Sequence, residues 1–170
     1  PRPGFVKTRL CPPCSPEQAA ALAAAALLDT LDAVDALVVE AGRLGHELAP
    51  TLLFEGDASQ WSRPGYAVLA QRGDGLAERL SNGFAELGPG FVVGMEAPHA
   101  VAAIVNALDA VAGGGDALGL ALDGGYWAIG LGDADDRVFA GVPMSESHTG
   151  LAQLRRLHAL QRRVRMLPLA

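Results

Sequence analysis

Short aliphatic runs alternate with helical stretches of ten or more residues along most of this chain, and that alternation limits the fold more than any other feature. A strand followed by a helix normally returns beside itself in parallel, and a parallel sheet must be covered on both faces. Ala36–Glu40, Thr51–Phe54, Tyr66–Ala70, Phe91–Val93, Ala117–Leu122, Tyr126–Leu131 and Arg163–Leu167 read as strands. Helices are predicted from Ser15 to about Val34 and over Leu76–Leu87, Pro98–Val111 and Leu151–Leu160. Ser15-Pro16-Glu17-Gln18 carries a capping box with proline at the first helical position. Gly88-Pro89-Gly90 and Gly113-Gly114-Gly115 are stops. The expectation is a single α/β domain over 1–170, three layers deep (α/β/α) with a mostly parallel sheet. In such sheets ligands bind beyond the carboxyl ends of the strands.

Composition then narrows the partners. With 170 residues, 50% hydrophobic and 19% charged, the chain can bury one core. A net charge of −6 opposes general nucleic-acid binding, although a few local cations can still hold a small anion. The longest apolar run, Ala19–Leu28, stops at Asp29 and is too short for a membrane span, and no signal segment leads the chain. A cytoplasmic location is expected, and a homodimer is allowed. Both cysteines lie in Cys11-Pro12-Pro13-Cys14, without a second pair to complete a metal site, and read as thiols in a stiffened loop. The arginines at 155, 156, 162, 163 and 165 read as a solvated face, and Ser145 as an N-cap.

Three groups of residues could carry chemistry. Lys7 and Arg9 follow a glycine-containing loop, where two cations can hold phosphates. Glu96 closes a predicted strand, where a carboxylate can reach a phosphate-borne metal ion or simply favour the start of the next helix. Asp123-Gly124-Gly125 follows another strand and fits either a site or a hairpin turn. Trp127 beside it is expected in the core.

Several blocks share a pattern in order along the chain. They are Pro3-Gly4-Phe5-Val6-Lys7-Thr8-Arg9-Leu10, Gln71-Arg72-Gly73-Asp74-Gly75-Leu76 with Arg79-Leu80, Gly94-Met95-Glu96 with Pro98, Asp123 to Gly130, and Val142-Pro143-Met144-Ser145. Together they resemble a bacterial glycosyltransferase-A-like (GT-A fold) family carried as a domain of unknown function. That family lies in the nucleotide-diphospho-sugar transferase superfamily and is related to 2-phospholactate and molybdenum-cofactor guanylyltransferases. The resemblance implies a nucleotide or nucleotide sugar as substrate, with Lys7 and Arg9 facing its phosphates. It further implies that Gln71 and Gly73 contact the base, and that Arg79 either joins them or serves as a structural ion-pair partner. Glu96 and Asp123 become metal contacts for Mg²⁺ or Mn²⁺, and Asp123 also a catalytic residue that orients or deprotonates the acceptor. The sequence departs from the family at Glu96, where Asp is usual, at Leu120, where Pro is usual, and at Leu122, often polar. Relatives also carry a strand ahead of the Lys-Thr-Arg loop, so an N-terminal strand is expected to be missing from this sequence. Three functions remain open: a metal-assisted glycosyltransferase-like enzyme on a nucleoside-diphosphate sugar, a nucleotidyltransferase using a nucleoside triphosphate, or a non-catalytic GT-A module.

Overall fold

The computed structural model describes residues 1–170. The chain opens with a loop containing the short 3₁₀ turn Thr8–Leu10, then enters α1 (Pro16–Arg43). Ser15 caps α1 as expected: its Oγ accepts from the Gln18 amide while its own amide donates to Gln18 Oε1. The helix runs well past Val34, so the strand expected at Ala36–Glu40 is helical instead. Nothing in that stretch breaks a helix, and Leu27, Leu31, Leu37 and Ala41 continue one buried stripe at helical spacing. Short apolar runs are where strand and helix patterns coincide.

Next come β1 (Thr51–Phe54), β2 (Ala67–Ala70), α2 (Leu76–Leu87) and β3 (Gly90–Val93). The stretch after β3 winds as a 3₁₀ helix over Pro98–Ala107 and becomes α-helical only in α3 (Leu108–Ala112). The strands β4 (Asp116–Leu120) and β5 (Tyr126–Leu131) follow, then a 3₁₀ turn at Asp136–Val138, α4 (Thr149–Ala159) and β6 (Val164–Met166). No helix is long and apolar enough to cross a membrane.

The sheet is more mixed than the expected parallel one. β1 pairs with β2 in parallel, and β4 with β6 in parallel, but β5 runs against both β3 and β4. The reason is local: only residues 121–125 separate β4 from β5, a link that allows a hairpin and no crossover. The strands form two sheets, β1-β2 and β3-β5-β4-β6, and β1 and β3 each pair on one side only.

Helices cover both faces. On one face, Leu37 and Ala41 of α1 pack with Val101, Ile104 and Ala107 against Ala117, Trp127 and Ala128. On the other, Leu80 and Phe84 of α2 and Leu157 of α4 meet Leu118, Ile129 and Leu131. The pairs Ala117/Leu118 and Ala128/Ile129 show the alternation of strand side chains between faces. Phe84 stacks on Phe139 with ring centroids 5.9 Å apart. A third cluster places Leu27 and Leu31 of α1 beneath Leu52 of β1. The α/β/α layering therefore stands, with α1 lying under both sheets.

Candidate functional site

β3 and β4 both oppose β5, so they point the same way and deliver their carboxyl ends to one rim. β1 reaches the same region, because Phe54 at its end and Met95 beyond β3 pack on one cluster. Two polar groups form there.

The first gathers the loop ahead of α1. Lys7 adopts a left-handed backbone (φ 51°) that starts the 3₁₀ turn. Its Nζ lies 2.9 Å from Glu96 Oε1, with side-chain exposures of 25% and 63%. Glu96 is placed by the exit from β3, where the Gly94 amide donates to the Trp127 carbonyl at 2.8 Å. Arg9 donates to the backbone carbonyl of Ser145 at 3.3 Å. Ser145 is not the expected N-cap: α4 begins after His148, and the Thr149 hydroxyl ties that corner by donating to the Pro143 carbonyl and accepting from the Glu146 amide.

Asp123 sits in the exposed turn between β4 and β5, its Oδ1 accepting from the Gly125 amide at 2.9 Å. Gly124 has φ 87°, and a Cβ built on it would overlap the Ser147 carbonyl. The Gly150 amide donates to the Gly124 carbonyl at 2.8 Å. One segment, residues 143–150, a loop running into the first turn of α4, thus leans on Arg9 and on the Asp123 turn, joining them at the rim. Glu96 and Asp123 share no hydrogen-bond partner, and no group of three His, Cys, Asp or Glu side chains is gathered as a metal cage.

The second group surrounds Arg79 of α2. Its guanidinium donates to Glu55 Oε2 at 2.7 Å, to Gln71 Oε1 at 3.2 Å and to the Gly73 carbonyl at 3.2 Å. The Gln71 amide nitrogen donates to the Leu53 carbonyl at 3.1 Å, so both ends of that side chain are held by the protein. Gly73 needs its glycine, since φ is 125° and a Cβ would sit 2.6 Å from Glu78 Cβ. Of the expected nucleotide-binding residues, Gln71, Gly73 and Arg79 are brought together, and Lys7 and Arg9 stand with Glu96 and the Asp123 turn. Glu55 escaped the sequence reading. Its signal was position alone, an acid directly after β1, and its pairing with Arg79 lies 24 residues away.

Trp127 is buried at 4% exposure, its Nε1 donating to the Pro168 carbonyl, which agrees with a core role. Arg162 corrects the expectation of a solvated basic face. It forms a partly buried pair with Asp116, which has no exposure at all. Two surface depressions, one lined by Asp109, Gly113 and Arg163 and the other by Ser81 and Asp133–Arg137, contain none of the rim residues.

Against known proteins, residues 21–146 match the family model described as an uncharacterized protein conserved in bacteria (DUF2064). The fold matches the crystal structure of a "putative nucleotide-diphospho-sugar transferase" from Desulfovibrio desulfuricans G20. That match has a TM-score of 0.76 and 27% sequence identity, and covers 98% of this chain and 75% of the other. A comparison with curated proteins found no match.

Proposed function

This chain belongs to the DUF2064 family of proteins conserved in bacteria, and from that premise we propose that it is a transferase acting on a nucleoside-diphosphate sugar. The observation that carries the reading is the rim itself: Lys7 paired with Glu96, and Arg9 tied through residues 143–150 to the Asp123 turn. Its support is likeness of fold to the Desulfovibrio protein.

The chemistry follows from the exposures. An ion pair as open as Lys7–Glu96 is worth about 0–1 kcal/mol, so Lys7 can exchange its carboxylate for a phosphate oxygen at little cost. Arg9 then offers its remaining guanidinium donors to the same diphosphate, matching the fork geometry that phosphate oxygens accept. Asp123 would orient an acceptor hydroxyl or take its proton. The Arg79 group holds Glu55 toward the rim side of β1, and with the Arg72 and Gly73 carbonyls and the Asp74 amide taken up by Asn82, Arg79 and Glu78, the Arg72 and Gly73 amides are left to meet a base.

Glu96 and Asp123 are two exposed carboxylates without a third ligand. A divalent ion carried in on phosphates needs only one or two protein carboxylates, so either Glu96 or Asp123 would hold it without a closed all-protein cage. Bound there, Mg²⁺ or Mn²⁺ would neutralise charge on the leaving diphosphate.

Thermal-shift measurements with nucleoside-diphosphate sugars and Mg²⁺ or Mn²⁺ test the reading. At a hundredfold excess over Kd a ligand adds about 2.7 kcal/mol. For a domain of this size that raises Tm by about 5–11 °C. Lys7→Ala removes a charge-assisted contact and should weaken binding roughly ten- to a hundredfold. Stabilisation by nucleoside triphosphates alone would turn the reading to nucleotidyl transfer, and no stabilisation by any nucleotide would end it.

A further inference from the structure

The chain has two cysteines and both lie in Cys11-Pro12-Pro13-Cys14, between the cation loop and α1. Both are free thiols and half-buried. We propose that they form an oxidisable dithiol, a site of exchange with low-molecular-weight disulfides, whose state is transmitted to Lys7 and Arg9.

Geometry supports the pairing. The Cys14 amide donates to the Leu10 carbonyl at 2.9 Å, folding the segment into one turn. That bond closes a five-residue turn, Leu10–Cys14, with both cysteines inside it, and two cysteines three residues apart in one turn can meet the Cα separations of roughly 4.4–6.8 Å that a disulfide spans. A structural zinc site is not the alternative, because it needs four ligands and no third His, Cys, Asp or Glu joins the pair.

The two flanks differ in rigidity, and that decides which one moves. Behind Cys14, Ser15 caps a 28-residue helix whose Ala19 and Ala20 are already buried. Ahead of Cys11, the Cys11 amide donates to the Thr8 carbonyl, so the turn is directly coupled to the 3₁₀ segment. That segment is exposed and reaches the rest of the protein through Lys7–Glu96 and the 3.3 Å contact from Arg9 to Ser145. Linking the sulfurs therefore displaces the cation loop and leaves the helix in place.

The exchange balances without any further reagent. One cysteine thiolate attacks a sulfur of glutathione disulfide and expels one glutathione thiolate, leaving a mixed disulfide. The second cysteine thiolate attacks the protein sulfur of that bond, forms Cys11–Cys14 and expels the second glutathione. Two electrons and two protons pass from the pair to the glutathione.

The consequence for phosphate binding rests on the proposed function; the dithiol itself does not. The protein is treated with glutathione disulfide and analysed by intact mass, by amide hydrogen exchange over residues 5–14, and by calorimetric titration with inorganic pyrophosphate. The expected product is lighter by two hydrogens, absent from Cys11→Ser, with altered exchange in residues 5–10 and pyrophosphate affinity at least threefold weaker. A product that stops at glutathione adducts overturns the dithiol. A linked product with unchanged exchange overturns the coupling to the cation loop. Altered exchange with no pyrophosphate binding in either form supports the dithiol and counts against the phosphate reading alone.

Discussion

Replacing Arg162 with methionine should be among the most damaging single changes outside the apolar core. Asp116 opens β4 with no exposed surface, and its carboxylate accepts from Arg162 Nη2 at 2.9 Å and from Arg162 Nε. The remaining donor to it is the Gly132 amide at 3.3 Å. Arg162 is itself only 12% exposed and also donates to the Asp133 carbonyl at 3.0 Å, which stitches β4, β6 and the end of β5 together. Removing one partner of a buried pair leaves a charge in low dielectric and costs about 3–5 kcal/mol. Against a total stability of roughly 5–15 kcal/mol this is about a fifth or more. It corresponds to a fall in Tm of about 6–20 °C for a chain of this length. Urea unfolding of Arg162→Met, followed by circular dichroism, measures it. Changing both partners, Asp116→Leu with Arg162→Met, should recover most of the loss, since an apolar pair of similar volume is often neutral or better. A cost below 1 kcal/mol for the single variant would put the pair among ordinary surface contacts and refute the argument.

Other expectations follow from single contacts. Gly124→Ala places a Cβ onto the Ser147 carbonyl at a left-handed position, and should cost about 1–3 kcal/mol and loosen residues 143–150; an unchanged unfolding midpoint would refute the packing described. Ser15→Ala removes the cap of α1 and should cost about 1 kcal/mol by urea titration. Asp135 is held down to about 2, from an ordinary 3.8, chiefly by its hydrogen bond with Arg137. Because the folded value is the lower one, its contribution is present above pH 4 and is lost as pH falls toward 2. Asp135→Asn should therefore flatten the loss of stability between those two values, and an identical acid limb would show that the contact does nothing.

Much of the architecture was legible because local signals agreed. Leu76, Leu80, Phe84 and Leu87 mark a helical stripe closed by Gly88-Pro89-Gly90, and α2 spans those residues. Tyr126–Leu131 appears as a strand with the expected ends. Ala36–Glu40 misled because an aliphatic run without a breaker suits both strand and helix, and packing on the far side of α1 decided it. Arg162 and Glu55 were opaque for another reason. Their partners, Asp116 and Arg79, are 46 and 24 residues away, and only the pairing of strands and helices reveals the contact. The rim residues could be proposed from strand ends, whereas their division into a Lys7–Glu96 group and an Arg79–Glu55 group depends on sheet order.

The length of α1 carries a mechanical consequence. At about 1.5 Å per residue its 28 residues extend roughly 42 Å, and one rod touches the Leu52 cluster through its middle, at Leu27 and Leu31, and the Ile104 cluster toward its C-terminal end, at Leu37 and Ala41. Since the β1-β2 ribbon and the larger sheet share no ladder, this rod acts as the gauge block that sets the distance between the two halves of the rim. A bend placed between Leu31 and Leu37, where the helix passes from one cluster to the other, should open or close that distance, so the span offered to a ligand is a property of helix straightness.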